Sequence, residues 1–141
     1  MNFLYSKQYE DLLVQLLRWS IALIFIWFGL LKVLGYNPVY DLIYNSMVPW
    51  FAGGAGLITL GLIEVVIGVS LLINRYLLFI HTILILHLLG TFSTFIFGLH
   101  VVFKPAFPIL SLEGEFVVKN AALAIAALVI LVHEYKKRRL S

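Results

Sequence analysis

The stretch Leu60–Leu72, LGLIEVVIGVSLL, sets a single acid, Glu64, among apolar residues and glycines. With its neighbours the run is long enough for a helix across a bilayer, which needs about 20 mostly apolar residues. A charge at mid-membrane costs about 2.5–3.5 kcal/mol even on the lenient insertion scale. Glu64 must therefore be protonated, paired or wetted. Composition points to the same solvent. The chain has 141 residues, 62% hydrophobic and 12% charged, with a mean hydropathy of +1.03, more apolar surface than a soluble domain of this length can bury. Cysteine is absent, which removes disulfides, thiol catalysis and thiolate metal sites. The start, MNFLYSKQYEDLL, mixes both signs of charge and does not read as a cleavable signal.

Four apolar runs follow, at about 12–34, 51–73, 76–99 and 116–132. They are too long and too little alternating for strands. The expected fold is all-α: one domain over 1–141, an integral membrane four-helix bundle. Lys and Arg gather in the tail HEYKKRRLS and at Arg75, whereas GYNPVYDLIYNSMVPW has neither and HVVFKPAFPILSLEGE has only Lys104. Both termini should face the cytoplasm. In the first outer connection, Pro38 and the aromatics Tyr40, Tyr44 and Trp50 suggest a short helix lying in the interface.

Residues three, four and seven apart share a helix face. Arg18, Ala22, Phe25, Gly29 and Lys32 align on the first span, and Gly54, Gly61, Glu64 and Gly68 on the second. His87, Thr91, Thr94 and Gly98 align on the third, and Glu115, Lys119, Ala122 and Ala126 on the fourth. These stripes should meet inside the bundle, with Gly29, Gly61 and Gly68 at close helix contacts. Lys32 and Lys119 both fall near the outer surface, within reach of Glu64. The expected polar cluster is therefore Lys32, Glu64, His87, Thr91 and Lys119, acting either as a structural ion-pair network or as a ligand or proton site. His81 and His87, six residues apart, point in different directions and cannot share a ligand. No metal-ligand cluster and no phosphate-binding glycine loop is present, so no intrinsic cofactor or metal is expected.

The segments RWSIALIFIWFGLLKVLGYNP, GLIEVVIGVSLL and PILSLEGEFVVKNAALAIAAL resemble the DoxX-like superfamily of small four-helix membrane proteins, in its YkgB/RclC-like branch. The likeness runs from Arg18 to about Ile130, and Arg18, Trp27, Gly29, Lys32, Glu64, Gly114 and Lys119 fall on positions of that pattern. Asn120 stands where the branch would carry an acid. The resemblance implies a bacterial inner-membrane protein linked to redox partnerships, quinone- or thiosulfate-linked oxidation, or oxidative stress. It carries over no catalytic residue, and no independent catalytic activity is expected.

Three functions follow as expectations. The first is an accessory redox-linked subunit whose outward-facing pocket holds a quinone or small anionic metabolite, with a membrane or peripheral redox protein as partner. The second is a structural or assembly partner of another membrane protein. The third is a small organic-anion carrier, for which a homo-oligomer would have to build the pathway. The bilayer is the common partner, and nucleic acid is not expected.

Overall fold

The computed structural model describes residues 6–140. In chain order the helices are α1 (Lys7–Val33), α2 (Tyr40–Tyr44), α3 (Gly54–Ile73), α4 (Leu77–Phe92), α5 (Thr94–Phe97), α6 (Leu99–Val102) and α7 (Leu112–Leu140), with a 3₁₀ turn at Pro49–Phe51 before α3. Four are long and apolar enough to cross a membrane: α1, α3, α4 continued by α5, and α7.

Their limits differ from the hydropathy runs for local chemical reasons. α1 starts at Lys7 because the Ser6 hydroxyl accepts a hydrogen bond from the Tyr9 amide, a helix cap that hydropathy does not register. The second span starts only at Gly54, since Pro49 favours a separate turn before it. α7 begins four residues early, where Ser111 accepts from the Gly114 amide and Glu113 and Glu115 occupy the first turn, both favourable at a helix N-terminus. It then continues through the basic tail to Leu140. α3 ends on Asn74 in the left-handed conformation, φ 53°, a role asparagine fills more readily than most residues.

α1 packs most extensively on α3, and α4 on α7. The α1–α3 contact is made by glycine. A Cβ at Gly61 would stand 2.6 Å from the Gly29 carbonyl oxygen, and one at Gly68 would stand 2.7 Å from that of Ala22. The backbones touch where a soluble bundle would place side chains, which is how membrane helices gain dispersion contact without a hydrophobic drive. Arg18 fastens the other end of the pair. Its guanidinium donates to the Leu71 and Leu72 carbonyls at 2.5 and 3.1 Å, capping the C-terminus of α3.

The two pairs meet at an apolar layer built from Ile21, Ile67, Leu84 and Ile130, all essentially inaccessible. Both described termini lie at one end with the α3–α4 turn. His133 Nε2 lies 2.7 Å from an Asp11 carboxylate oxygen, and Arg138 donates to the Asn74 carbonyl at 2.7 Å. The opposite end is roofed by α2 and the 3₁₀ turn. Leu42 and Ile43 are buried there, Asn37 donates to the Ala52 carbonyl, and the Met47 amide donates to Ser93 Oγ.

Candidate functional site

Glu64 sits ten residues into α3, about 15 Å along its axis, on the face that also carries Gly61 and Gly68. Gly61 lets α1 approach so closely that Lys32, in the last turn of α1, reaches the carboxylate. Its Nζ donates to Glu64 Oε2 at 2.7 Å. The other carboxylate oxygen, Oε1, lies 3.1 Å from His87 Nε2 on α4. The acid thus bridges a lysine and a histidine from two different helices. A carboxylate only accepts, so the His87 nitrogen facing it carries the hydrogen; in the neutral imidazole Nδ1 is left as an acceptor.

Burial is uneven. The Lys32 and Glu64 side chains are 7% and 6% exposed, against 18% for His87. Phe25 packs edge-on against the imidazole, with centroids 5.4 Å apart, and Phe28 lies under the ammonium at 5.9 Å. A cation over an aromatic face in a dry setting adds to the lysine's stability there. Lys32 and Glu64 neutralise each other, which makes two charges tolerable at this depth.

The triad opens on a cavity of about 290 Å³ between the two helix pairs. All four long helices line it: Phe28 from α1, Ile63 from α3, Leu86 from α4 and Leu123 from α7, with Ile43 and Phe51 of the cap as roof. Its wall is mostly apolar; Lys32, Glu64, His87, Thr91, Asn120 and Ser46 supply the polar points. Ile24 and Leu86 belong both to the wall and to the exposed outer surface of the bundle, so the cavity reaches the face that lipid would cover. Gly90 is also part of the wall, and a Cβ there would meet nothing within 4 Å. A glycine inside a helix costs about 0.8–1.0 kcal/mol relative to alanine, and here no close helix contact requires it.

Of the residues expected to cluster, the structure brings together Lys32, Glu64 and His87. Thr91 lines the same cavity, but its hydroxyl donates back to the His87 carbonyl at 3.3 Å and not to the ring. Lys119 does not join them. It lies on the exposed side of α7, 75% exposed, and pairs with Glu115 one turn back at 3.0 Å. The inward stripe of α7 is Val117, Asn120, Ala127 and Ile130, so Asn120, one position on from Lys119, takes the place beside the cavity. An exposed pair of this spacing contributes at most about 0.5 kcal/mol. Lys119→Gln is therefore expected to leave thermal unfolding in detergent within that margin; a larger loss would place the ammonium in the interior.

The terminal half holds a second polar group that sequence reading did not assemble. Glu134 is buried and accepts from Asn74 Nδ2 at 2.9 Å. His81 is buried with Nδ1 2.8 Å from the Leu77 carbonyl. The apolar layer of Ile21, Ile67, Leu84 and Ile130 separates these residues from the cavity. Among the described residues no three His, Asp or Glu side chains converge as a metal site. No protein-family model, curated protein or solved structure matches this chain.

Proposed function

We propose that this chain is a DoxX-like accessory redox subunit of the bacterial inner membrane, and that its cavity holds the head of a neutral, membrane-dissolved ligand such as a quinone. The observation that carries this reading is the Lys32–Glu64–His87 bridge opening on an otherwise apolar space that reaches the lipid-facing surface. A cavity of about 150 Å³ accommodates benzene, so the 290 Å³ here suits a substituted ring. Lys32 keeps two N–H donors for a carbonyl, and His87 keeps Nδ1 for a hydroxyl. A permanently anionic ligand is disfavoured, because Glu64 already neutralises Lys32. The chain supplies binding and protonatable groups; electrons would pass to or from a partner redox protein. The packed layer below the cavity favours a blind pocket over a carrier's passage.

The basic residues Lys7, Arg75, Lys136, Lys137, Arg138 and Arg139 gather at the end that holds both described termini, against Lys32, Lys104 and Lys119 toward the opposite side. That bias supports cytoplasmic termini and a cavity in the outer half, with α2 at the outer interface. Reporter fusions after Arg75 and at the C-terminus should read cytoplasmic, and fusions at Asn45 and Ala106 external. An external C-terminus would reverse the orientation. For the ligand itself, organic extraction of protein purified from its native membrane, followed by mass spectrometry, should yield a neutral ring compound in near-stoichiometric amount. Recovery of phospholipid alone, or of an anionic metabolite, would count against the reading.

A second reading rests on the same pair. Lys32 and Glu64 satisfy each other without any ligand, as they would in a scaffold or assembly partner whose polar core only fixes helix register.

A further inference from the structure

One polar side chain on the cavity wall is not engaged by the protein itself. Glu64 is held by Lys32 and His87, and the Thr91 hydroxyl donates to the His87 carbonyl. Ser46 Oγ donates to the Ile43 carbonyl and accepts from the Val48 amide. Asn120 lines the same space, is only 5% exposed, and has no hydrogen-bond partner among the described residues. We propose that the Asn120 amide is a second anchor for the ligand, a ring carrying two oxygens, one met by Lys32 and His87 and the other by Asn120. That assignment rests on reading the cavity as a ligand site, and it names the class of compound taken there: a quinone together with its hydroquinone, and not a ring with a single polar group.

Placement, burial and chemistry support this role. Phe116, Asn120 and Leu123 follow one another at helical spacing on α7 and all three line the cavity, so the amide sits on the inward face of that helix. Lys32 and Glu64 belong to the α1–α3 pair and Asn120 to the α4–α7 pair, which gives the cavity between them a polar point on either side. Most of the remaining wall is apolar, and Phe28 of α1 meets Phe116 of α7 edge-on with centroids 6.1 Å apart. An amide buried without a partner destabilises a fold, and a leucine of the same branched shape would carry no such cost. The amide also offers both polarities. Nδ2 donates to a ring carbonyl and Oδ1 accepts from a ring hydroxyl, so one side chain serves the oxidised and the reduced ligand after a half-turn. Lys32 and His87 divide the same two tasks, an N–H for the carbonyl and Nδ1 for the hydroxyl. A carboxylate in place of Asn120 would only accept, and an ammonium would only donate.

The test is equilibrium binding of three short-chain ligands to the full chain in detergent, without oxygen. They are a fully substituted 1,4-benzoquinone, its hydroquinone, and the monophenol that lacks one of the two oxygens; full substitution keeps Lys32 from adding to the quinone. Asn120→Leu should weaken the quinone and the hydroquinone at least fivefold each and leave the monophenol within twofold. Its melting temperature without ligand should be unchanged or higher, because no internal hydrogen bond is lost. A lowered melting temperature would mark the amide as structural and overturn the proposal. Equal weakening of all three ligands would show a crowded cavity, and no weakening of the first two would show the second oxygen bound elsewhere. Either result overturns the assignment of Asn120, as does a loss confined to one redox form. Absence of saturable binding of all three to the wild type is a different failure, since it removes the ligand site itself.

Discussion

Replacing Glu64 with leucine is expected to destabilise the bundle by about 3–5 kcal/mol, the usual cost of stranding one partner of a buried ion pair. Lys32 is held at 2.7 Å and is almost fully buried; without the acid its ammonium faces Phe28 and apolar wall. His87 also loses its acceptor, although its partial exposure to the cavity limits that loss. The reverse experiment separates structure from function. Lys32→Met combined with Glu64→Leu removes both charges, and an apolar pair of similar volume is often neutral or stabilising by about 1–4 kcal/mol. Thermal unfolding in detergent should therefore show the single variant collapsing and the double variant recovering. If the pair serves a ligand, the recovered protein remains inactive in the cell. Full cellular function in a well-folded double variant would leave only the scaffold reading.

The second large effect is expected at Gly61. A Cβ there would lie 2.6 Å from the Gly29 carbonyl oxygen and 2.9 Å from the Lys32 Cβ. Two of its three nearest neighbours are backbone atoms, which cannot turn aside. Gly61→Leu should cost at least the upper part of the roughly 1–3 kcal/mol typical of overpacking, because pushing α1 off α3 also draws Lys32 away from Glu64. Leu62→Ile, on the exposed neighbouring face, should stay within about 0.5 kcal/mol. Melting temperature and monodisperse yield read both; equal tolerance at the two positions would remove the glycine contact from the account.

How much of this was legible in the sequence differs from helix to helix. On α1 the contrast is sharp: Arg18 and Lys32 share a face with Ala22 and Gly29, and that face is the buried one. On α3 the spacing of Gly61, Glu64 and Gly68 marks the same contact from the other side. α7 offered no such contrast. Lipid and core are equally apolar, so hydropathy does not choose between the two faces of a membrane helix. Glu115 and Lys119 made a polar stripe that looked inward, but it is an exposed pair, and the true inner face carries only Asn120 as a polar mark in its outer half. Glu134 was hidden differently: it sits in a basic tail that reads as solvated flank, yet the helix continues and turns it inward. An outward-facing pocket was expected from the polar cluster, but its mostly apolar wall was not legible from the chain. It is assembled by four helices and a cap, and its one local trace is Gly90, a glycine with no neighbour that needs it small.

Gly90 also gives the most direct test of the claim that the cavity is a ligand site. A Cβ there would meet nothing within 4 Å and Gly90 lines the cavity, so a leucine is expected to fill part of that space and to raise helix propensity. The measurement is equilibrium binding of a short-chain benzoquinone to purified wild type and to Gly90→Leu, with melting temperatures recorded alongside. Saturable one-site binding to the wild type is expected, with at least tenfold weaker binding to the variant, whose melting temperature is unchanged or higher. Wild-type affinity in a folded Gly90→Leu, or no saturable binding to the wild type, would contradict it.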